Sequence, residues 1–291
     1  MLCACIDIGS NTTRVLVADV EDGALHEVLQ RRAFTRIGKG LKGGEIPREK
    51  IDEVARVVAE QRHLIEQLGT DAMRVVATAA IRGAANQDEF AATIREVGGA
   101  EVEILDGEEE ARLAFLGATR TLGQPLDGTV GVVDVGGGST ELAIGTVPEG
   151  ATWSESFRLG SGLLTDAYLR SDPPSVAELH AMREHAQGVF EGLALPPVDA
   201  AVAVGGSAAS LRRLVGAVLD AESLQRAMRV LSGDASEAVS QKFAIDRERV
   251  VLMAAGLTVL DAAAQALGRP LQIGRGGLRE GILLELAARG S

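Results

Sequence analysis

Residues 7–20, DIGSNTTRVLVADV, and residues 134–147, DVGGGSTELAIGTV, carry one pattern twice, 127 residues apart. Each has an apolar run ending in Asp-x-Gly, a small polar turn and a second apolar run, so Asp7 falls on Asp134, Gly9 on Gly136 and Thr13 on Thr140. Four of the fourteen positions are identical, so the repeat lies in the pattern more than in the letters. Apolar runs on both sides of a turn rich in Gly, Ser, Thr and Asn predict a β-hairpin. Two such hairpins in one chain predict two related lobes.

Working outward, residues 50–68 place Ile51, Val54, Val58, Ile65 and Leu68 on one helical face, with Gly69 as the stop. Arg74 to Thr78 reads as a strand, Asn86 to Val97 as a helix opened by Asn86 with Glu89 three residues on, and Glu101 to Leu105 as another strand. A third corner follows the apolar run at 201–204, where Gly205-Gly206-Ser207 leads into a helical pattern from Ala208 through Val218. Pro173-Pro174 and Pro196-Pro197 bracket a further helix. Strands alternating with helices make the class α/β.

The chain has 291 residues, 29 Lys+Arg against 41 Asp+Glu and a formal charge of −12, which excludes a generic basic nucleic-acid binder. Cys3 and Cys5 share one strand face and build neither a disulfide framework nor a cysteine zinc site, as expected of a reducing, cytoplasmic setting. The N-terminus reaches Asp7 too soon for a signal sequence. Val250 to Leu267, interrupted by Thr258, Asp261 and Gln265, reads as a buried helix and not a membrane span.

Glycine occurs 35 times, about 12% where roughly 7% is usual, and its place in the turns has a chemical reading. Backbone N–H groups hold a phosphate chain only where no side chain blocks the approach, which is what Gly136-Gly137-Gly138-Ser139-Thr140 offers. Asp7 and Asp134, at the ends of strands beside these turns, suit Mg²⁺ directly or through its waters. In Asp106-Gly107-Glu108-Glu109-Glu110, Asp106 is the expected helix cap and Glu109 its capping-box partner. Glu110, about 100° further around, is then free to face elsewhere, ionised by the helix dipole and able to deprotonate a water. His180 and His185 are five apart and read as surface residues, and Trp153 and Tyr168 as packing. Gly160-Ser161-Gly162 fits a phosphate contact and a tight turn equally well.

DIGSNTTRVLVADV, ATAAIRGAANQDEF, EILDGEEEARLAFLG, VVDVGGGSTELAIG, RLGSGLLTDAYL and GGLREGILLEL together resemble the successive motifs of the exopolyphosphatase and guanosine pentaphosphate phosphohydrolase family, within the acetate kinase, sugar kinase, Hsp70 and actin superfamily. The resemblance implies two actin-like, ribonuclease H-like lobes with mixed sheets flanked by helices and the active site in the cleft between them. Residues 1–120, completed by 278–291, would form the first lobe and 121–277 the second. It places Ser10, Asn11 and Thr12 on the first phosphate corner, Gly136, Gly137, Gly138, Ser139 and Thr140 on the second, and Gly205, Gly206 and Ser207 on a corner like the superfamily's adenosine site. Arg82 would grip the polyanion, Asp7, Asp134 and Glu141 would hold Mg²⁺, with Mn²⁺ as a substitute, and Glu110 would be the catalytic base. The implied activity is removal of terminal phosphate from inorganic polyphosphate, with guanosine pentaphosphate as the alternative substrate. An ATP-dependent small-molecule kinase and a non-catalytic polyphosphate or alarmone sensor are readings of other classes. Longer members carry extra C-terminal helical domains for which 291 residues leave no room. A homodimer, with no nucleic-acid or membrane partner, is expected.

Overall fold

A computed structural model describes residues 1–290. The repeat becomes two sheets. In the first, β1 (Leu2–Ile8), β2 (Thr13–Glu21) and β3 (Ala24–Ala33) form an antiparallel meander, and β4 (Ala72–Ala77) and β5 (Glu103–Ile104) extend it in parallel, in the order β3-β2-β1-β4-β5. In the second, β6 (Val130–Val135), β7 (Thr140–Thr146) and β8 (Gly150–Phe157) form the meander, and β9 (Ala200–Val204), β10 (Val218–Leu219) and β11 (Leu271–Ile273) complete the order β10-β11-β9-β6-β7-β8. Read from β8 inward, the second sheet repeats the first, with β9 parallel to β6 as β4 is to β1. The register repeats as well: Asp7 pairs with Arg14 and Ile8 with Thr13, as Asp134 pairs with Glu141 and Val135 with Thr140.

Side chains alternate across a strand, so each sheet offers two faces, and a different layer covers each. Ala4, Ile6 and Ile8 pack with Ile51, Val54, Val58 and Ile65 of the Arg48–Leu68 helix, while Cys3 and Cys5 pack on the other face with Leu278, Ile282 and Leu283 of the Leu278–Gly290 helix. In the second sheet, Val133 and Val135 lie in the cluster built on the Arg247–Leu267 helix. Val130, Val132, Val202 and Val204 pack with Ala111, Phe115 and Ala118 of the Gly107–Thr121 helix. Each large aliphatic side chain so buried stabilises the fold by roughly 1.5–3 kcal/mol over an exposed one. Arg247–Leu267 is long and apolar enough to cross a membrane, but its apolar side chains are taken by this core.

The Gly107–Thr121 helix, grouped by sequence with the first lobe, thus lies on the second sheet, and the Leu278–Gly290 helix lies on the first. The two cross backbone against backbone. A Cβ on Gly117 would stand 1.9 Å from the Gly277 carbonyl oxygen, and one on Gly281 would stand 2.0 Å from that of Leu113.

Several local expectations are corrected. Asn86 sits at the N-cap position, but its side chain makes no cap bond: its Oδ1 accepts from the Ile46 N–H at 2.9 Å and its Nδ2 donates to the Ile46 carbonyl at 2.9 Å and to Glu89 Oε2 at 3.1 Å, pinning a loop instead. That helix runs Gln87–Thr93 and closes in a π-helical turn, Ile94–Gly98. The strand expected over 101–105 shrinks to Glu103–Ile104. Gly205, Gly206 and Ser207 are the first turn of the Gly205–Val215 helix rather than a corner before it. β3 escaped notice because both its faces are largely exposed, leaving no apolar alternation to read.

Candidate active site

The two hairpin turns close alike. Gly9 N donates to the Thr12 carbonyl at 3.0 Å, and Gly136 N to the Ser139 carbonyl at 3.0 Å. They also face each other: a Cβ on Gly138 would meet Ser10 Oγ at 2.4 Å, and one on Gly137 would meet Asn11 Cβ at 3.2 Å. Among the described residues, the N–H groups of Ser10, Asn11, Gly137 and Gly138 make no backbone hydrogen bond, so they are free to donate elsewhere. Each turn is braced from behind. Arg36 N and Gly38 N donate to the Asn11 and Ser10 carbonyls at 2.9 and 2.8 Å. Ser161 N donates to Gly136 O at 2.9 Å, and Gly162 N and Leu163 N to Gly137 O at 2.9 and 3.1 Å. Gly160-Ser161-Gly162 is therefore chiefly a buttress, with Ser161 also on the cavity wall.

Between the lobes lies a cavity of about 770 Å³. Asp7, Ser10, Asn11, Thr12, Glu110, Asp134, Gly136, Gly137, Gly138, Ser139, Glu141 and Gly205 to Ser207 line it. Two expected residues do not. Thr140 is fully buried, and its hydroxyl donates to the Leu159 carbonyl, fixing the start of β7. Arg82 donates through Nη1 to the Leu105 carbonyl at 2.7 Å and to Glu110 Oε2 at 2.9 Å, so it holds the glutamate expected as the base.

Asp106 caps the Gly107–Thr121 helix, accepting from Glu109 N at 2.8 Å. Glu109 does not complete the capping box, because its two carboxylate oxygens take Arg112 Nε and Nη2 at 2.7 and 2.8 Å. Glu110 turns into the cavity, as the 100° offset required, but it is not the readily ionised group that the helix dipole suggested. It is 7% exposed, and burial, then the neighbouring Glu141 charge, push its pKa well above the usual carboxylate range, with Arg82 opposing them. Desolvation outweighs a helix dipole effect of about 1 kcal/mol.

Glu141, accepting from Ser156 Oγ at 2.9 Å, is pushed up to about 7 by burial and by Asp134. Burial and Asp7 push Asp134 up to about 6. Asp7 is raised by burial against the pull of Arg279 and Arg14. Among the described residues none of these three joins an ion pair, and no group of three or more His, Cys, Asp or Glu side chains is placed to hold a metal ion by itself. Hard carboxylate oxygens without an ion-pair partner in a polar cavity fit a hard cation that keeps several of its waters, which is how Mg²⁺ binds.

The sequence reading missed the cationic wall. Arg14 donates through Nε to Thr12 Oγ1 at 3.1 Å. Burial, then Arg279, bring its pKa down to about 10, and burial, then Arg14, bring that of Arg249 down to about 9. Both stand over Gly206, where a Cβ would meet Arg249 Nη1 at 2.4 Å and Arg14 Nη2 at 2.8 Å. Gly205, at φ +86°, is packed so that a Cβ would meet Asp134 Oδ1 at 2.2 Å. Arg14 had a readable signal, since it is the position that the repeat aligns with Glu141. Arg279 lies in the GGLREGILLEL motif, whereas Arg249 had no signal, because only the fold brings it here.

A family model described as the Ppx/GppA phosphatase family matches residues 16–289. Exopolyphosphatase 2 of Mycobacterium tuberculosis is 36% identical over 190 residues, a match covering 62% of this chain and 59% of that protein, less than two thirds of its length. Exopolyphosphatase 1 of Mycobacterium leprae is 30% identical over 299 residues, covering 96% of this chain and 87% of the other. The crystal structure of an Aquifex aeolicus member of the Ppx/GppA family superposes with a TM-score of 0.85 at 28% identity, covering 100% of this chain and 99% of that one.

Proposed function

The chain belongs to the Ppx/GppA phosphatase family, and from that premise we propose that it is an exopolyphosphatase, a phosphoanhydride hydrolase that removes terminal phosphate from linear inorganic polyphosphate. The observation that carries this reading is one cavity lined both by the free N–H groups of two facing turns with the Arg14, Arg249 and Arg279 guanidinium groups and by the carboxylates of Asp7, Glu110, Asp134 and Glu141.

In this reading the terminal phosphate lies against Ser10, Asn11, Gly137 and Gly138, whose N–H groups donate to its oxygens, and Arg14 neutralises charge along the chain. Mg²⁺, or Mn²⁺ in its place, would be held by Asp7, Asp134 and Glu141 and would supply charge neutralisation at the phosphoryl oxygens. Glu110 accepts the proton of the attacking water as the new P–O bond forms and the terminal anhydride P–O bond breaks, releasing orthophosphate and a chain shorter by one unit. Its raised pKa makes it a better proton acceptor than an exposed glutamate, and Arg82 keeps it aimed. The two buried free thiols are in keeping with a cytoplasmic setting.

The test is phosphate release by the purified protein from polyphosphates of graded length, guanosine pentaphosphate and ATP, with and without Mg²⁺. Glu110→Gln keeps the Arg82 hydrogen bond but cannot take a proton, and should cut turnover by about 10²–10⁴. Undiminished release in that variant would remove Glu110 from the mechanism. Release from guanosine pentaphosphate alone would move the substrate to the alarmone.

A further inference from the structure

Three alternate residues at the end of β3 and just beyond it reach across the cleft to one helix start. Arg32 Nη2 pairs with Asp246 Oδ2 at 3.4 Å, the Phe34 ring lies 4.7 Å from the Arg32 guanidinium and 5.9 Å from that of Arg249, and Arg36 Nη2 pairs with Glu248. The partners sit at the cap and first turn of the Arg247–Leu267 helix, where Asp246 also accepts from Glu248 N at 3.0 Å. One end of this bridge thus rests on the first sheet and the other on the main helix of the second.

Arg36 has φ +48°, a left-handed conformation that costs a side-chain-bearing residue of order 1 kcal/mol and persists only where surrounding contacts impose it. The contacts here are the cross-cleft pair with Glu248 and the Arg36 N–H bond to the Asn11 carbonyl. Two residues on, Gly38 N holds the Ser10 carbonyl. The strained residue therefore ties the far lobe to the carbonyl side of the first turn, and so fixes the direction in which the free N–H groups of that turn point.

We propose that residues 32–36 form a clasp that positions the Ser10–Asn11 turn by holding the start of the Arg247–Leu267 helix across the cleft, and that Arg36 is its positioning residue. The clasp touches no reacting atom. It acts on phosphate binding through the turn, and in that respect alone rests on the function proposed above. Both ion pairs are part-exposed, so the device is sensitive to ionic strength.

The test is a charge swap between Arg36 and Glu248, read in two ways. Hydrogen exchange of the Arg36 and Gly38 amides needs no substrate; Arg36→Glu and Glu248→Arg should each speed it about fivefold, and the double variant should restore protection. In parallel, each single variant should raise KM for polyphosphate about fivefold with kcat changed less than twofold, again restored by the swap. Arg36→Gly, which relieves the backbone but deletes the charge, should behave like the reversals and guards against a misfolded variant. Exchange that ignores the swap, or that Arg36→Gly leaves at the wild-type rate, overturns the clasp. If the wild type releases no phosphate while exchange follows the swap, the clasp stands and the proposed activity falls.

Discussion

Without a divalent cation, the carboxylate side of the cavity should make the fold less stable as pH rises, and Mg²⁺ should reverse this. Glu141 is 2% exposed, and burial followed by the Asp134 charge raises its pKa from 4.5 to about 7. Between those values the folded chain keeps a proton that the unfolded chain has released. Stability from this group is therefore whole below about pH 4.5, falls as pH rises through the folded pKa, and levels off above about 7. A difference of about 2.5 units at about 1.36 kcal/mol each gives roughly 3 kcal/mol. Asp134, raised to about 6, adds in the same direction but by less, since it faces the open cavity. For a chain of this size 1 kcal/mol shifts Tm by roughly 2–4 °C, so metal-free protein should lose about 6–12 °C between about pH 4 and pH 8 through Glu141. Binding to the ionised carboxylates alone, Mg²⁺ should raise Tm little at the acid end and increasingly above neutrality. The assay is thermal unfolding in chelator and in Mg²⁺ across that range, for wild type and Glu141→Gln, the difference between them isolating this group. An identical pH slope in the two proteins, or a Mg²⁺ shift of constant size, would refute the reasoning.

Arg82→Met should move the acid limb of the pH–rate profile to higher pH, because Arg82 is what lowers the Glu110 pKa against burial and Glu141; a stationary limb in kcat/KM would separate the two residues. Gly117→Ala puts a methyl group into the backbone at Gly277 and Gly281 and should cost at least about 1–3 kcal/mol in urea unfolding, where a loose crossing would cost nearly nothing. Asp106→Ala should lose about 1 kcal/mol of helix cap together with turnover, since Glu110 lies in the first turn that Asp106 fixes. Gly205→Ala, forced to φ +86° against Asp134, should abolish activity and shrink the Mg²⁺ shift in Tm.

The sequence made the hairpins, the helix over 50–68 and the Asp106 cap readable because each is a local pattern: a strand–turn–strand, a 3.6-residue stripe, a capping side chain. The same locality explains the failures. Glu109 and Asn86 have the spacing of capping boxes, yet Arg112 and Ile46 offered them better partners. Thr140 aligns with the turn motif but is spent on the Leu159 carbonyl, a partner 19 residues away. Glu110 was found for the right face with the wrong electrostatics, because burial and then Glu141 on β7 oppose its ionisation, and neither is visible locally. Most of the carboxylate side was legible, since its members sit in or beside repeated turns. Most of the arginine wall was not.

That division bears on how a chain of net charge −12 can take a polyanion at all. At a Debye length of about 8 Å in physiological salt, the net charge acts only at the approach, and the local field governs inside the cavity. There, burial and then neighbouring guanidinium charge, Arg279 on Arg14 and Arg14 on Arg249, lower the pKa values of Arg14 and Arg249, a repulsion that an anion relieves. In the same cavity burial, and then Asp7 on Asp134 and Asp134 on Glu141, raise the carboxylate pKa values, a repulsion that a cation relieves. Each set of like charges thus repels itself, and under the proposed function a phosphate chain carrying a divalent cation relieves both together. Neither ligand alone does so, so under the proposed function Mg²⁺ and polyphosphate should bind with positive cooperativity. Equilibrium titration of each in the presence and absence of the other measures that coupling, which must be equal in both directions.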